Sequence, residues 1–493
     1  MISVIICREK GKTNSGGAAL VNADVPARKP GLTGRNIMES SIGVLRKCLS
    51  AKNAAVKMML AALVIICIHW FGAVRSCAEE QAAFRWGFDE RIRQTYIENG
   101  FDLWDDNPDD WNFIRVRSRL WCQYSASSRV KLYAGLNNEH RHWFKSTRGY
   151  EDDDFEINEL IFEKLYISIN DILGFPVSII AGRQNIMYGE GFLFMDGGPL
   201  DGSRTGYFNA VRMRIEDEKR SFEFHLLSNP SWDKYLPTLN CQRQPLIEYD
   251  EAGAGVYYTD QSPENYKIEG YYFYKNEKHE DDITPESNIH TVGGRLSGKA
   301  GVSFRYAAEW AFQLGESGDA GRKGYGGYLH GTYQMRCAME PALSAGFIYL
   351  SGDDSGTEDY EGWDPLYSRW PKWSELYIYT LASTGNGVAY WENLFAPNFK
   401  LVLTPARKTT VEASIYYMIA PEDAPEGGLN IAGLGPIFGD GSSRGLLSAI
   451  KISYKMNKNL SGHLLWEMFD PGDYYNAGMD TANFLRWELF YNF

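Results

Sequence analysis

The chain runs to 493 residues and carries 50 basic against 63 acidic side chains, a formal net charge of −13. That balance excludes nucleic acid as a partner, because phosphate recognition draws on a basic surface. Length alone would allow two or three soluble domains, and no run beyond residue 78 is apolar for long enough to cross a membrane as a helix.

In chain order, the first feature is the apolar run Met58 to Phe71, broken only by His69, with Lys57 before it and Ser76-Cys77-Ala78 after it. A basic flank, a short apolar core and small residues before Glu79 read as a secretory signal peptide. Arg75 stands where a lipoprotein signal carries a small residue, so Cys77 is not expected to be lipidated. Residues 1–78 are therefore read as leader, with a translation start at Met58 or Met59, and 79–493 as one domain. Eleven of the basic and three of the acidic residues fall in 1–78, which leaves 39 and 60 and a net charge of −21 beyond it. Cys122, Cys241 and Cys337 remain there, an odd set without metal-ligand spacing, read as three buried or lipid-facing thiols.

Segments of period-two alternation follow at about 84–97, 111–124, 129–143, 157–170, 176–185, 207–216, 221–228, 253–259, 266–275, 289–296, 301–315, 325–337, 342–352, 387–403, 409–420, 444–456, 460–468 and 483–493. Short connections (125–128, 171–175, 217–220, 297–300, 457–459) alternate with long ones (186–206, 229–252, 353–386, 421–443). Short turns on one side and long loops on the other predict a transmembrane antiparallel β-barrel of 18 strands, with 16 as the alternative, nine long loops and eight short turns.

The long loops collect acid: Asp105-Asp106, Asp109-Asp110, Glu151 to Asp154, Glu280 to Asp282, Asp353-Asp354 and Glu358-Asp359. Solvated loop tips explain such clusters. Calcium is the alternative, although none shows the Asp-x-Asp-x-Asp-Gly spacing of a specific site; no cofactor is otherwise expected. The strands carry the opposite charge. Arg115, Arg117 and Arg119 share one face of their segment, and Arg91 with Arg93 and Arg212 with Arg214 repeat the pattern. An arginine facing lipid costs about 2–4 kcal/mol, so the alternation turns these side chains inward. There they predict an anion path, or else ion pairs with interior acids such as Glu90, Glu223, Glu309 and Glu412.

Ile180 to Gly191, reading IAGRQNIMYGEG, then Asp201-Gly-Ser-Arg204 and Tyr207 to Arg212, resemble the alginate-export family of outer-membrane porins, as does Trp466 to Tyr475. The resemblance implies a monomeric 18-stranded barrel in the bacterial outer membrane, in contact with its lipid and lipopolysaccharide. It also implies passage of an anionic polysaccharide through an arginine-rich lumen. Arg183 and Arg212 match the family's motif; Arg204 and Tyr188 lie within it. Arg183 is expected to hold a substrate carboxylate or to anchor the loop that follows, and Tyr188 and Tyr207 to meet sugar hydroxyls or to join an aromatic girdle. Pro365 to Trp370, in the longest loop, are expected to fold inward or to stay outside.

The last segment sets Leu485, Trp487, Leu489, Tyr491 and Phe493 on one face and Arg486 and Glu488 on the other, the latter expected as a self-neutralising pair. A closing Phe493 is the signal by which barrel-assembly machinery is expected to recognise the chain. An export porin for an anionic polymer is the leading reading and a general or sugar-uptake porin the second. An enzyme is not expected: there is no His-Glu-x-x-His motif, and paired loop acids do not by themselves define a cleft.

Overall fold

The computed structural model describes residues 83–493 apart from 101–102, 106–109, 147–153, 196–206, 241, 243–246, 248, 279–285, 369–372, 377–391 and 425–437. The leader, Cys241 and Arg204 thus lie outside the described residues. Eighteen strands follow one another: β1 Ala83–Glu98, β2 Trp111–Ser125, β3 Val130–Ser146, β4 Asp154–Ile169, β5 Val177–Gln184, β6 Phe208–Glu216, β7 Arg220–Asn229, β8 Asp250–Asp260 and β9 Tyr266–Lys278. The second half comprises β10 Ser287–Ala300, β11 Phe304–Ser317, β12 Ala320–Gln334, β13 Ala342–Leu350, β14 Leu394–Ala406, β15 Thr409–Ile419, β16 Ser443–Lys455, β17 Leu460–Pro471 and β18 Ala482–Asn492. Each pairs antiparallel with its neighbour, and β1 pairs with both β2 and β18, from Asp89 opposite Asn492 to Glu98 opposite Asn483. The pairing of β1 with β18 closes the barrel.

Alternation explains why these residues make strands. On β18 Leu485, Trp487, Leu489 and Tyr491 stand exposed on the outside while Arg486 is fully buried inside. The same outward series recurs around the wall in Trp86, Leu120, Leu132, Val211, Phe224, Val292, Phe312 and Ile450. So much exposed apolar area suits lipid rather than water.

Eighteen strands settle the count against 16. Three boundaries differ from the sequence reading. Residues 297–300, read as a turn, continue β10; β12 begins at Ala320, so the β11–β12 connection is only Gly318-Asp319; and β14 begins at Leu394. Lysine and glycine at these ends blur the alternation on which the reading depends. Glu90 is also corrected: register places it with Ser118 and the outward Tyr491, while its neighbour Asp89 is buried inside.

Three strands are notably short, β5 with eight residues and β6 and β13 with nine each. β4 pairs with β5 only from Leu165 to Ile169. Gly182, at φ +122°, permits that contact, because a Cβ there would run into the Leu165 carbonyl. Above Leu165 the free edge of β4 is met by the loop after β7: Leu239 donates to the Leu160 carbonyl at 2.8 Å, and Leu160 donates to the Asn240 side chain at 2.9 Å.

Candidate translocation path

On β1, β2 and β3 register brings Arg91 beside Arg117 and Arg93 beside Arg115, with Arg141 opposite Arg115. With Arg119 this makes six inward guanidiniums on three adjoining strands. Like charges so close require counter-charge, since an unpaired buried ion is costly. Glu139 lies 3.1 Å from Arg115 and 3.2 Å from Arg141; Asp89 lies 2.8 Å from Arg119 and 3.7 Å from Arg117. Glu163 reaches Arg119 at 3.3 Å, Glu156 reaches Arg141 at 3.7 Å, and Glu488 on β18 reaches Arg93 at 3.7 Å. Arg91, Arg93, Arg115 and Arg117 are nearly or fully buried, whereas the side chains of Arg119 and Arg141 stay 22% and 17% exposed.

Half the circumference away, β8 to β12 present a different surface. Arg295 donates to Glu269 at 2.7 Å, to Glu190 at 3.0 Å and to the Tyr328 hydroxyl at 3.1 Å. Tyr328 and Tyr271 donate to Glu309, and Tyr257 donates to Glu269. Lys275 sits between Glu251, Glu277 and Asp364. This wall is built of carboxylates and phenols around few cations.

Two loops reach into the space between these walls. Residues 186–195, after β5, carry Phe192 and Phe194; residues 351–368, after β13, carry Trp363, Leu366 and Tyr367, all of them buried. Phe192 stacks on Trp363 with centroids 5.2 Å apart, and Phe194 meets Tyr367 at 4.5 Å and Phe273 of β9 at 4.9 Å. The Tyr367 N–H donates to the Leu193 carbonyl at 3.0 Å. Gly253 keeps the wall clear for Tyr367, since any side chain there would occupy the place of its hydroxyl. Of the two outcomes expected for Pro365 to Trp370, Pro365 to Ser368 fold inward; Arg369 and Trp370 lie outside the described residues.

Asp364 is the hub of this plug. It accepts from Lys275 and Arg322, each at 3.2 Å, and its backbone exchanges two hydrogen bonds with the Gln313 side chain. Burial alone would raise its pKa, but Lys275 and Arg322 outweigh burial and hold the carboxyl below its usual range. Eleven residues on, Glu375 accepts from Arg486 at 3.0 Å, while Glu467 of β17 takes the Glu375 and Leu376 N–H groups, each at 2.9 Å. The plug is therefore moored on β9 and β12 at one end and on β17 and β18 at the other.

A profile of the alginate-export family matches residues 84–487. The chain belongs to the alginate-export family. A search of curated proteins finds no match. Solved structures of similar fold include OccK5 (OpdH) of Pseudomonas aeruginosa, at TM-score 0.50 and 12% identity over 83% of this chain and 97% of that one. OccAB4 of Acinetobacter baumannii has TM-score 0.51 and 10% identity over 84% and 99%. At such identities they speak for the barrel fold alone. Family and fold together make this alginate-export protein an outer-membrane channel.

Several sequence expectations for this family member change on inspection. Arg183 does not line the lumen. It lies opposite Leu165, whose side chain is on the outer face, and its guanidinium fills the gap above the last β4–β5 pair. It donates to the Phe162 carbonyl and to Asn209, each at 2.9 Å, pairs with Asp233 at 2.7 Å, and lies 3.9 Å over the Tyr207 ring. Arg183 thus anchors the loop after β7 and not, as expected, the loop that follows it in sequence. Tyr207 is buried beneath that guanidinium rather than in a girdle. Tyr188 stacks on Tyr257 at 4.1 Å and donates to Glu223 inside the barrel. Arg212 faces the interior 3.6 Å from Glu223; Arg214 pairs with Glu216 at the short-turn mouth, both half-exposed. Arg486 contacts Glu375 and His463, and Glu488 contacts Arg93, Arg91 and His463, so the two pair with other groups and not with each other as expected.

Sequence reasoning missed Arg141, Lys275, Arg295, Arg322 and Arg444. Arg141 was visible in the alternation Glu139, Arg141, Trp143; the others stand singly among glycines or at strand ends. Gly441-Ser-Ser-Arg-Gly445 spells the Gly-x-Ser-x-Gly pattern of hydrolases, yet Ser443 opens β16 with no following helix, and its hydroxyl accepts from Tyr417 at 3.2 Å. Among the described residues no three His, Cys, Asp or Glu side chains converge to hold a metal.

Proposed function

We propose that this outer-membrane channel passes an anionic polysaccharide or oligosaccharide, as a monomer and without catalysing any reaction. The observation that carries the reading is the set of six inward guanidiniums on β1 to β3, two of them part-exposed. A low-dielectric wall concentrates the field of such charges on the pore. In planar bilayers the protein is expected to select anions over cations, and replacing Arg115, Arg117 and Arg119 by Ala to bring selectivity to unity or below. Cation selectivity in the intact protein would sink the reading.

A second reading rests on a specific observation: Asp89, Glu139, Glu156 and Glu163 offset most of those arginines. A wall so balanced suits neutral sugars. Liposome swelling separates the two: the second reading requires neutral oligosaccharides to enter as fast as uronate oligomers of equal size.

A further inference from the structure

On the outer face of the barrel, small and large side chains are interleaved from β3 to β7. Register sets Leu132, Ile167, Ala181, Val211 and Leu226 side by side along one ladder, and Ala134, Leu165 and Arg183 along the next. The alanines sink the surface between their larger neighbours, and two apolar grooves result, one on each side of Leu165. The larger, about 410 Å³, runs from Leu165 past Val211 and Leu226 to Tyr235 and Leu236. The smaller, about 320 Å³, lies between Cys122, Leu132, Ala134, Ile167 and Ala181. Ser228, which borders the first, stands near the loop-side end of β7, and Cys122, which borders the second, stands near the short-turn end of β2. Together they make one furrow descending across the wall. Leu165, Val211 and Leu226 belong to the exposed outward series, so the furrow opens to membrane and not to the lumen.

The upper end of the furrow has a constructed lip. Asp233 pairs with Arg183 at 2.7 Å through one carboxylate oxygen, and through the other it accepts the Tyr235 and Leu236 N–H groups, each at 3.1 Å. Tyr235 in turn shares a hydrogen bond with Ser228 at 2.7 Å. One acid thus ties the lip to the guanidinium that fills the wall where the β4–β5 ladder stops. The Ser228 and Tyr235 hydroxyls and the half-exposed Lys234 stand at the lip, with hydrocarbon side chains below them. Polar groups toward the long loops and an apolar track beneath repeat the polarity of a lipid in the loop-side leaflet. An unfilled groove forfeits dispersion contacts along its walls, and in that leaflet of a bacterial outer membrane the neighbour is lipopolysaccharide. We propose that the furrow seats one acyl chain of a lipopolysaccharide molecule, which enters at the Tyr235 lip and descends past Leu165, with the headgroup held at Ser228 and Lys234. Loop and lipid then complete together the part of the wall that strand pairing leaves open. The site lies outside the barrel and is independent of what the lumen carries.

The test is native mass spectrometry of the full-length protein in mild detergent, incubated with purified lipopolysaccharide in one arm and with phosphatidylethanolamine in the other. A single bound lipopolysaccharide is expected to survive detergent exchange, and phosphatidylethanolamine to be retained several-fold less. Val211→Trp, which fills the larger groove, is expected to lose the bound lipopolysaccharide. Ile450→Trp, on the outward face of β16, is expected to keep it. Heat-modifiable gel migration confirms a closed barrel in each variant. No lipopolysaccharide retained by the intact protein, or phosphatidylethanolamine retained equally, overturns the site, so the test does not depend on a variant folding. Retention by Val211→Trp at the level of the intact protein overturns it too, as does equal loss in Ile450→Trp, which would mark the contact as general to the wall.

Discussion

The wall of β1 to β3 and the wall of β8 to β12 solve the same problem in opposite ways. Both must line the interior of a barrel with polar groups and leave none unpaired. The first does so with six arginines that share five acids from β1, β3, β4 and β18. The second uses carboxylates shared among tyrosine hydroxyls, with Arg295 alone joining Glu190, Glu269 and Glu309. On the first wall a lost acid unbalances the charge of closely spaced arginines. On the second it leaves a phenol, which is cheaper to strand.

That contrast can be broken at single residues. The largest effect is expected for Glu139→Gln, which removes the carboxylate shared by Arg115 and Arg141. A buried pair broken on one side costs roughly 3 kcal/mol or more, and denaturant unfolding in lipid vesicles would register it, together with increased anion selectivity. If Glu139→Gln matches the parent in both, the arginine wall does not depend on its acids. Glu309→Gln, on the other wall, keeps an acceptor for Tyr271 and Tyr328 and leaves Arg295 with Glu190 and Glu269. About 1 kcal/mol is expected there, and a loss as large as that of Glu139→Gln would erase the distinction.

The smallest effect sharpens how the plug meets both walls. Glu392, on the loop side of β14, accepts from the Tyr360 hydroxyl at 2.6 Å, with Arg322, Arg444 and Asp364 near. Burial pushes its carboxyl up to about 7, against the hydrogen bond from Tyr360 and the pull of the two arginines. A carboxyl whose pKa rises on folding contributes its stability in full below the unfolded value of 4.5 and loses it as pH rises through about 7. Spontaneous openings should therefore be somewhat more frequent at pH 8 than at pH 6, and Glu392→Gln should flatten the profile. The reverse trend would dissociate Glu392 from the docked plug.

The wall was legible in the sequence because lipid on one side and polar contacts on the other impose a period of two, as in Leu485 to Tyr491. Arg115, Arg117 and Arg119 followed from the same rule. Glu90 did not, since it follows Asp89 directly and one residue of register decides its side. Arg183 was legible as a motif but not as mortar, because its partner carbonyl is freed only where the β4–β5 ladder stops. The plug had no local signal at all. Asp364 and Lys275 are 89 residues apart, and nothing periodic near either predicts that they meet.

The short strands β5 and β6 bear on the lipid as well as on the wall. Eight residues of β5, at about 3.3 Å each and tilted about 40°, rise only about 20 Å, against an apolar band of about 25 Å on such barrels. The loop after β7 lies over that gap without levelling it: Tyr235, hydrogen-bonded to Ser228 at 2.7 Å, and Leu236 border an outer groove of about 410 Å³ with Leu165, Val211 and Leu226. Lipid beside this sector meets a lowered, indented rim, and a bilayer responds to such mismatch by thinning. A membrane around this channel is thus expected to be of uneven thickness, thinner beside β5 and β6 than beside the longer strands.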